Sequence, residues 1–378
     1  MSKKLFISLL IMSTIASVVG LSSDICARKK EKVFYLTFGS MNSTAPLSER
    51  ATIGWEKWIE RESGGRVKIT HYASETLAKA PDLYDAVESG ICDMAAQYSH
   101  FLSGRIPVNE VTSLPGIFEW PGSMPASLTH MELYDKYPEI QAEYSDVKVL
   151  YFYYGAPTQI QTVTKPVRTM EDLKGMIMLE IGPWAQRAMK LLGGTPESLP
   201  PVENYDALVK GLADGISVNW AGADAFGYMD VIKYSTEVSF TQPGILITVM
   251  NLNTWNKLPP DLQKLFTGKN AYLASKVISY SIDKDDKSVR EDFNKRSLKA
   301  GLPEVYVLPA KEKARWLAVC DPLKEEWVKM VSKRIGEEKA RAILKDCFYI
   351  AEKYRYNGND PESENTLQEW LKLAGYAK

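Results

Sequence analysis

Two runs of alternating strand and helix signals constrain this chain more than any other feature. Val33-Phe34-Tyr35-Leu36-Thr37-Phe38 is a short apolar run of strand type. Ser48 to Ser63 follows with helical spacing, stopped by Gly64-Gly65, and Val67 to Tyr72 is a second strand. Pro81 to Ser89 then predicts a helix ended by Gly90, and Ile91 to Ala96 a third strand. Strand, helix, strand, helix, strand implies a parallel α/β sheet. The rhythm restarts after Val147 to Tyr154. Met176 to Ile181 is a strand, Pro183 to Leu192 a helix closed by Gly193-Gly194, Tyr205 to Leu212 a helix and Gly215 to Trp220 a strand. The 378 residues thus divide into two α/β units, each long enough for its own core.

Ile245 to Leu252 adds an apolar strand. Pro260 to Leu298 carries helical spacing throughout and predicts one helix about 60 Å long, enough to cross both units. The chain from Ala310 onward is charged, amphipathic helix. Met1 to Gly20 has the order of a secretory signal peptide, Lys3 and Lys4 before an apolar stretch and then small residues. Residues 1–23 are therefore expected to be removed on export to the periplasm. Four cysteines are too few for a disulfide framework. Cys320 and Cys347 are either a bridge or buried thiols.

Forty-six basic against forty-seven acidic residues leave no excess positive charge for phosphates, so nucleic acid is not an expected partner. No dinucleotide or phosphate loop, nucleophile elbow, His-Glu-x-x-His or Cys-x-x-Cys occurs, and no cofactor is expected. The histidines are His71, His100 and His130, on three different elements, and each is read as structural. On the residues alone, an enzyme is the weaker class.

A series of blocks resembles the extracytoplasmic solute-binding subunits of TRAP transporters, the DctP family. They are Ser63-Gly64-Gly65-Arg66-Val67-Lys68-Ile69, Gly90-Ile91-Cys92-Asp93-Met94 and Ser113-Leu114-Pro115-Gly116-Ile117-Phe118 in the first half. Lys165 to Gly175, Leu192 to Pro196, Glu203 to Leu208, Gly211 to Gly215 and Trp255 to Gln263 follow in family order. Singly each is weak; the ordered series is specific. The resemblance implies a two-lobed, class II periplasmic binding protein with a long lobe-spanning helix. Lobe I would hold residues 33–156 and 244–283, lobe II residues 157–243 and 284–335, with a helical tail at 336–378. A monomer is expected to capture a small organic solute between its lobes and hand it to the TRAP membrane permease, without catalysis. An exported hydrolase on a similar scaffold, or a ligand-sensing partner of a membrane receptor, are the alternative readings.

The resemblance also implies an arginine, on the strand after Leu-Lys-Gly, that grips the ligand carboxylate through matched geometry. Leu179 stands at that position here, and the next contact falls on neutral Gln159. The ligand is therefore expected to be neutral, zwitterionic or amine-bearing. Strand alternation leaves open whether Leu179 or Glu180 faces the cleft. A further contact aligns near Val218 or Asn219, and Tyr98, Trp184, Trp220 and Phe226 are expected as walls. Arg105 is a candidate substitute cation from the first lobe.

Overall fold

The computed structural model describes residues 32–102, 104–118, 122–239, 241–242, 244–355 and 358–377. The signal segment and Cys26 lie outside them. Eleven strands form two sheets. The first holds β1 (Phe34–Gly39), β2 (Val67–Tyr72), β3 (Met94–Tyr98), β4 (Val147–Tyr154) and β10 (Ile245–Asn251), in the order β2-β1-β3-β10-β4. Its β1, β2 and β3 are parallel, while β10 runs antiparallel to both β3 and β4. The second holds β5 (Gln159–Thr162), β6 (Ile177–Leu179), β7 (Thr195–Glu197), β8 (Gly215–Val218), β9 (Tyr234–Glu237) and β11 (Tyr306–Val307). Its order is β11-β9-β5-β8-β6-β7. The chain passes between the sheets three times: two extended crossovers lead from β4 to β5 and from β9 back to β10, and a helical passage then leads from β10 to β11.

Helices α1 (Leu47–Glu62), α2 (Leu83–Ser89) and α3 (Met124–Lys136) cover the first sheet, with Trp55, Ile59, Leu83, Val87 and Leu133 buried. On the second, α4 (Pro183–Leu191), α5 (Pro201–Val209) and α6 (Trp220–Ala225) follow β6, β7 and β8. One face of this sheet builds a separate core from Leu179, Ile216, Val218, Leu208 and Phe293. The alternate face, with Ile160 and Met178, joins the core that continues into the first lobe.

Strand β3 begins three residues later than its apolar run predicts. Gly90 closes α2 in the left-handed region, at φ 80°. The turn that follows is held by the Asp93 carboxylate, which accepts from Thr37 N–H and the hydroxyls of Thr37 and Thr254. Ile91 is left on the surface.

The long helix is also shorter than its periodicity suggests. Pro260–Gln263 forms a separate turn, and Gly268, at φ 58° and ψ −134°, sets a conformation open only to glycine. Helix α7 (Lys269–Lys299) starts after it, 31 residues and about 46 Å long. Three of its aspartates accept hydrogen bonds at the N-termini of three other helices. Asp285 accepts from Leu47 N–H on α1 (2.7 Å), Asp283 from Ser123 N–H at α3 (2.6 Å) and Asp286 from Ala221 N–H on α6 (2.9 Å). Their carboxyl oxygens satisfy orphan N–H groups at those helix starts. One helix is thus pinned to both sheets' helical layers.

Helices α8 (Ala310–Cys320), α9 (Pro322–Ile335), α10 (Glu337–Lys353) and α11 (Pro361–Leu373) complete the chain. Helix α9, assigned from sequence to the second lobe, reaches both: Trp327 donates to Pro107 O (2.9 Å) in the first, and Glu326 pairs with Arg187 of α4. Cys320 and Cys347 are buried free thiols.

Candidate functional site

In α/β sheets of this kind ligands bind beyond the carboxyl ends of the parallel strands. The turn Ser99–Leu102 follows β3, and the segment before α4 follows β6. Both meet a narrow cavity of about 20 Å³, room for one or two water molecules. The first lobe contributes Ser99, His100, Glu110 and Ser113, the second lobe residues 181–185, and the returning crossover Gln242 and Gly244. An organic solute would reach these groups only with the lobes moved apart.

Gly182, at φ 88°, turns the chain from β6 into α4 with no side chain capping the helix. Trp184 and Ala185, whose N–H groups precede the intrahelical ladder, both line the cavity. Across from them the Trp184 indole donates to Glu110 Oε2 at 3.0 Å, a direct hydrogen bond between the lobes. Burial pushes the Glu110 carboxyl up to about 7 despite that bond. Arg187 stacks on the Trp184 ring at 4.7 Å and pairs with Glu326, outside the cavity.

Gln242 is 4% exposed and both its amide atoms lack a partner. His100 Nδ1 is likewise unpartnered, and burial lowers the imidazole to about 4, so the ring is neutral near pH 7. Among the described residues, no lysine or arginine lines the cavity.

Of the residues singled out from sequence, Trp184 stands on this wall, and Tyr98 lies beside it, its ring 5.0 Å from His100. The others have different work. Gln159 is consumed by the crossovers: its Nε2 donates to Pro157 O and Ser239 Oγ, and its Oε1 accepts from the N–H groups of Val238 and Ser239. Asn219 caps α6 through Gly222 N–H and donates to Ala156 O. Leu179 is buried in the second lobe's own core. Glu180 faces the opposite side, where it accepts from the Ser217 hydroxyl. Burial pushes it up to about 8, which favours the neutral acid near pH 7. Trp220 is buried under Arg290, at 5.4 Å. Phe226 is 43% exposed and stacks on Tyr228.

Arg105 is not a substitute cation for the cleft. It sits on the first lobe's surface, paired with Asp85 (2.7 Å), Asp146 (2.9 Å) and Glu88 (3.2 Å), and stacked on Tyr84. Three acids already claim its charge.

His100, Glu110 and Gln242 were missed. His100 carried a usable signal, since it directly follows a strand that ends at the cleft. Gln242 lies in a Pro-Gly crossover whose path only the tertiary structure reveals.

The sequence profile of the bacterial extracellular solute-binding protein family 7, DctP, matches residues 38–330. The chain belongs to this family. A monocarboxylate 2-oxoacid-binding periplasmic protein of Nostoc sp. is 29% identical over 238 residues, 60% of this chain and 63% of that protein. The C4-dicarboxylate-binding periplasmic protein of Rhodobacter capsulatus is 25% identical over 76% of this chain and 84% of its own length. Among solved structures, a TRAP solute-binding protein from Rhodoferax ferrireducens with copurified benzoate superposes with a TM-score of 0.77 at 22% identity, covering 85% of this chain and 98% of that one. The DctP-family fold is thus the two-lobed α/β architecture seen here. No helix among the described residues is long and apolar enough to cross a membrane.

Proposed function

We propose that this chain is the exported, periplasmic solute receptor of a TRAP transporter. It captures a small organic solute between its lobes, closes over it and delivers it to the membrane permease as a monomer, with no bond made or broken. The observation that carries this reading is the junction itself. Strand-end loops of both lobes and one crossover converge on unpartnered polar groups, and a hydrogen bond from Trp184 to Glu110 spans the lobes. Lobe closure around a solute is the motion such an arrangement supports.

Relatives named for monocarboxylates and C4-dicarboxylates make a small organic solute the natural class. That Leu179 lies in an apolar core, and that no lysine or arginine lines the cavity among the described residues, supports a solute held without an arginine clamp.

A thermal-shift screen of the mature protein against acids, amines, amides and sugars tests the reading, with mass spectrometry of each solute before and after. A solute at 100 times its dissociation constant adds about 2.7 kcal/mol of stability. Stabilisation with the solute recovered unchanged is the expected result. A chemically altered solute would make the chain an enzyme, and no stabilisation by any solute, with none released from the purified protein, would end the receptor reading.

A further inference from the structure

We propose that the solute presents an uncharged hydrogen-bonding group, a carboxamide or an equivalent donor–acceptor pair, to Gln242, His100 and the N-terminus of α4. This rests on the receptor reading above and specifies its ligand class.

Gln242 supplies the argument. An amide that is 4% exposed with neither donor nor acceptor used is costly unless something else completes it. What completes it must accept from the NH₂ group and donate to the carbonyl oxygen. A carboxylate can only accept. A carboxamide does both, and a neutral imidazole beside it has one nitrogen of each kind. Since His100 Nδ1 is the unpartnered atom, the ligand meets a second site of adjustable polarity. The first-turn N–H groups of Trp184 and Ala185 add two donors suited to the ligand's carbonyl oxygen.

Charge decides between a carboxamide and a carboxylate. A buried carboxylate needs a cation or several strong donors, and its desolvation cost exceeds what one helix N-terminus returns. The cavity wall offers no lysine or arginine, and its one ionisable acid, Glu110, would repel a second carboxylate. Arg187, on the same helix as Trp184, is held against the Trp184 ring and paired with Glu326. An uncharged group avoids the whole penalty, while the Trp184 ring, with Pro183, gives its apolar remainder a wall.

The test compares isosteres on the unaltered mature protein by calorimetry and tryptophan fluorescence at pH 8. Benzamide is set against benzoate, nicotinamide against nicotinate, and the solute released by denaturing the purified protein is identified by mass spectrometry. The expected result is that amides bind at least tenfold tighter than their carboxylates, that the released solute carries no carboxylate, and that Gln242→Leu weakens amide binding at least tenfold. Carboxylates binding as tightly as amides, or a released carboxylate, would overturn this inference and leave the receptor reading standing. If no solute of either class binds and none is released, both fall. Should Gln242→Leu fail to fold, the isostere comparison on the unaltered chain still decides.

Discussion

Replacing Trp184 by phenylalanine removes one N–H and keeps a ring in the wall, so it isolates the contact between the lobes. That indole donates to Glu110 Oε2 at 3.0 Å, and Glu110 is 7% exposed. A hydrogen bond to a charged group contributes about 1.5–3 kcal/mol. Water can reach the vacated oxygen when the lobes part, so a loss of about 1–2 kcal/mol in the closed state is the expectation, or about 5–30-fold in solute affinity. The protonation of Glu110 gives the effect a sign in pH. Its carboxyl is raised from 4.5 to about 7 in the folded protein, so the bond has an ionised acceptor above pH 7 and a neutral one below. Calorimetric titration of Trp184→Phe and the parent at pH 6 and pH 8 should show a larger affinity loss at pH 8. Small-angle scattering of the unliganded protein should show a larger radius of gyration for the variant. An affinity within twofold of the parent at both pH values, with unchanged scattering, would refute the idea that this contact holds the lobes together.

Elsewhere, His71 lies between two buried acids, with Nδ1 2.8 Å from Glu56 and Nε2 2.8 Å from Glu49. His71→Gln leaves both carboxylates without their cation and should cost about 3–5 kcal/mol, read as a fall in denaturant midpoint. Those acids raise the imidazole from 6.5 to about 10 against the cost of burial. Its stabilisation is therefore complete below pH 6.5 and lost as pH rises through 10, so the variant should lack part of the parent's decline between pH 7 and 10, and parallel declines would refute the pairing. Glu180→Gln should flatten the stability profile between pH 5 and 8, because a carboxyl raised from 4.5 to about 8 by burial stabilises least where it must ionise. The same variant should leave amine binding unchanged, and a loss there would restore Glu180 as a ligand contact. Gly54→Ala would put a Cβ 2.6 Å from the Trp370 backbone, so overpacking of α1 against α11 should cost about 1–3 kcal/mol; an unchanged melting temperature would mean that α11 does not dock there.

The strand–helix rhythm made the fold legible because each element carries its own period and its own stop. Gly65, Gly90 and Gly193 end the preceding helices in left-handed conformations, at φ 80°, 80° and 98°. What failed were features that depend on a neighbour. Gly268 falls inside a stretch of helical spacing, and only its backbone angles show the break. The site was read through the positions where family members make contacts, and this chain has put several of them to other use. Gln159 and Asn219 bond to crossover backbone, Leu179 fills a core, and Arg105 joins a surface cluster. A polar side chain in a sequence gives no sign of whether its bonds are already taken. Gln159 and Gln242 are the same residue type on the two crossovers, one with four partners and the other with none.

That contrast bears on how the lobes would move. At the crossovers, besides the bonds of Gln159, Thr158 N–H donates to Thr241 O (3.1 Å) and Asn219 donates to Ala156 O (3.0 Å). Asp286 ties α7 to the second lobe while Asp283 and Asp285 tie it to the first. Each of these bonds is buried or partly buried, so parting them would leave desolvated groups unmatched at about 1–3 kcal/mol apiece. On the cavity side, one indole–carboxylate bond joins the lobes directly, backed by the Arg187–Glu326 pair, whose side chains are 41% and 51% exposed and which therefore adds about 0–1 kcal/mol. The resistance to separation is several-fold greater behind the cleft than at Trp184. The lobes should therefore part at the Trp184 side and turn about the crossovers, the motion that would expose Gln242 and His100 to an arriving solute.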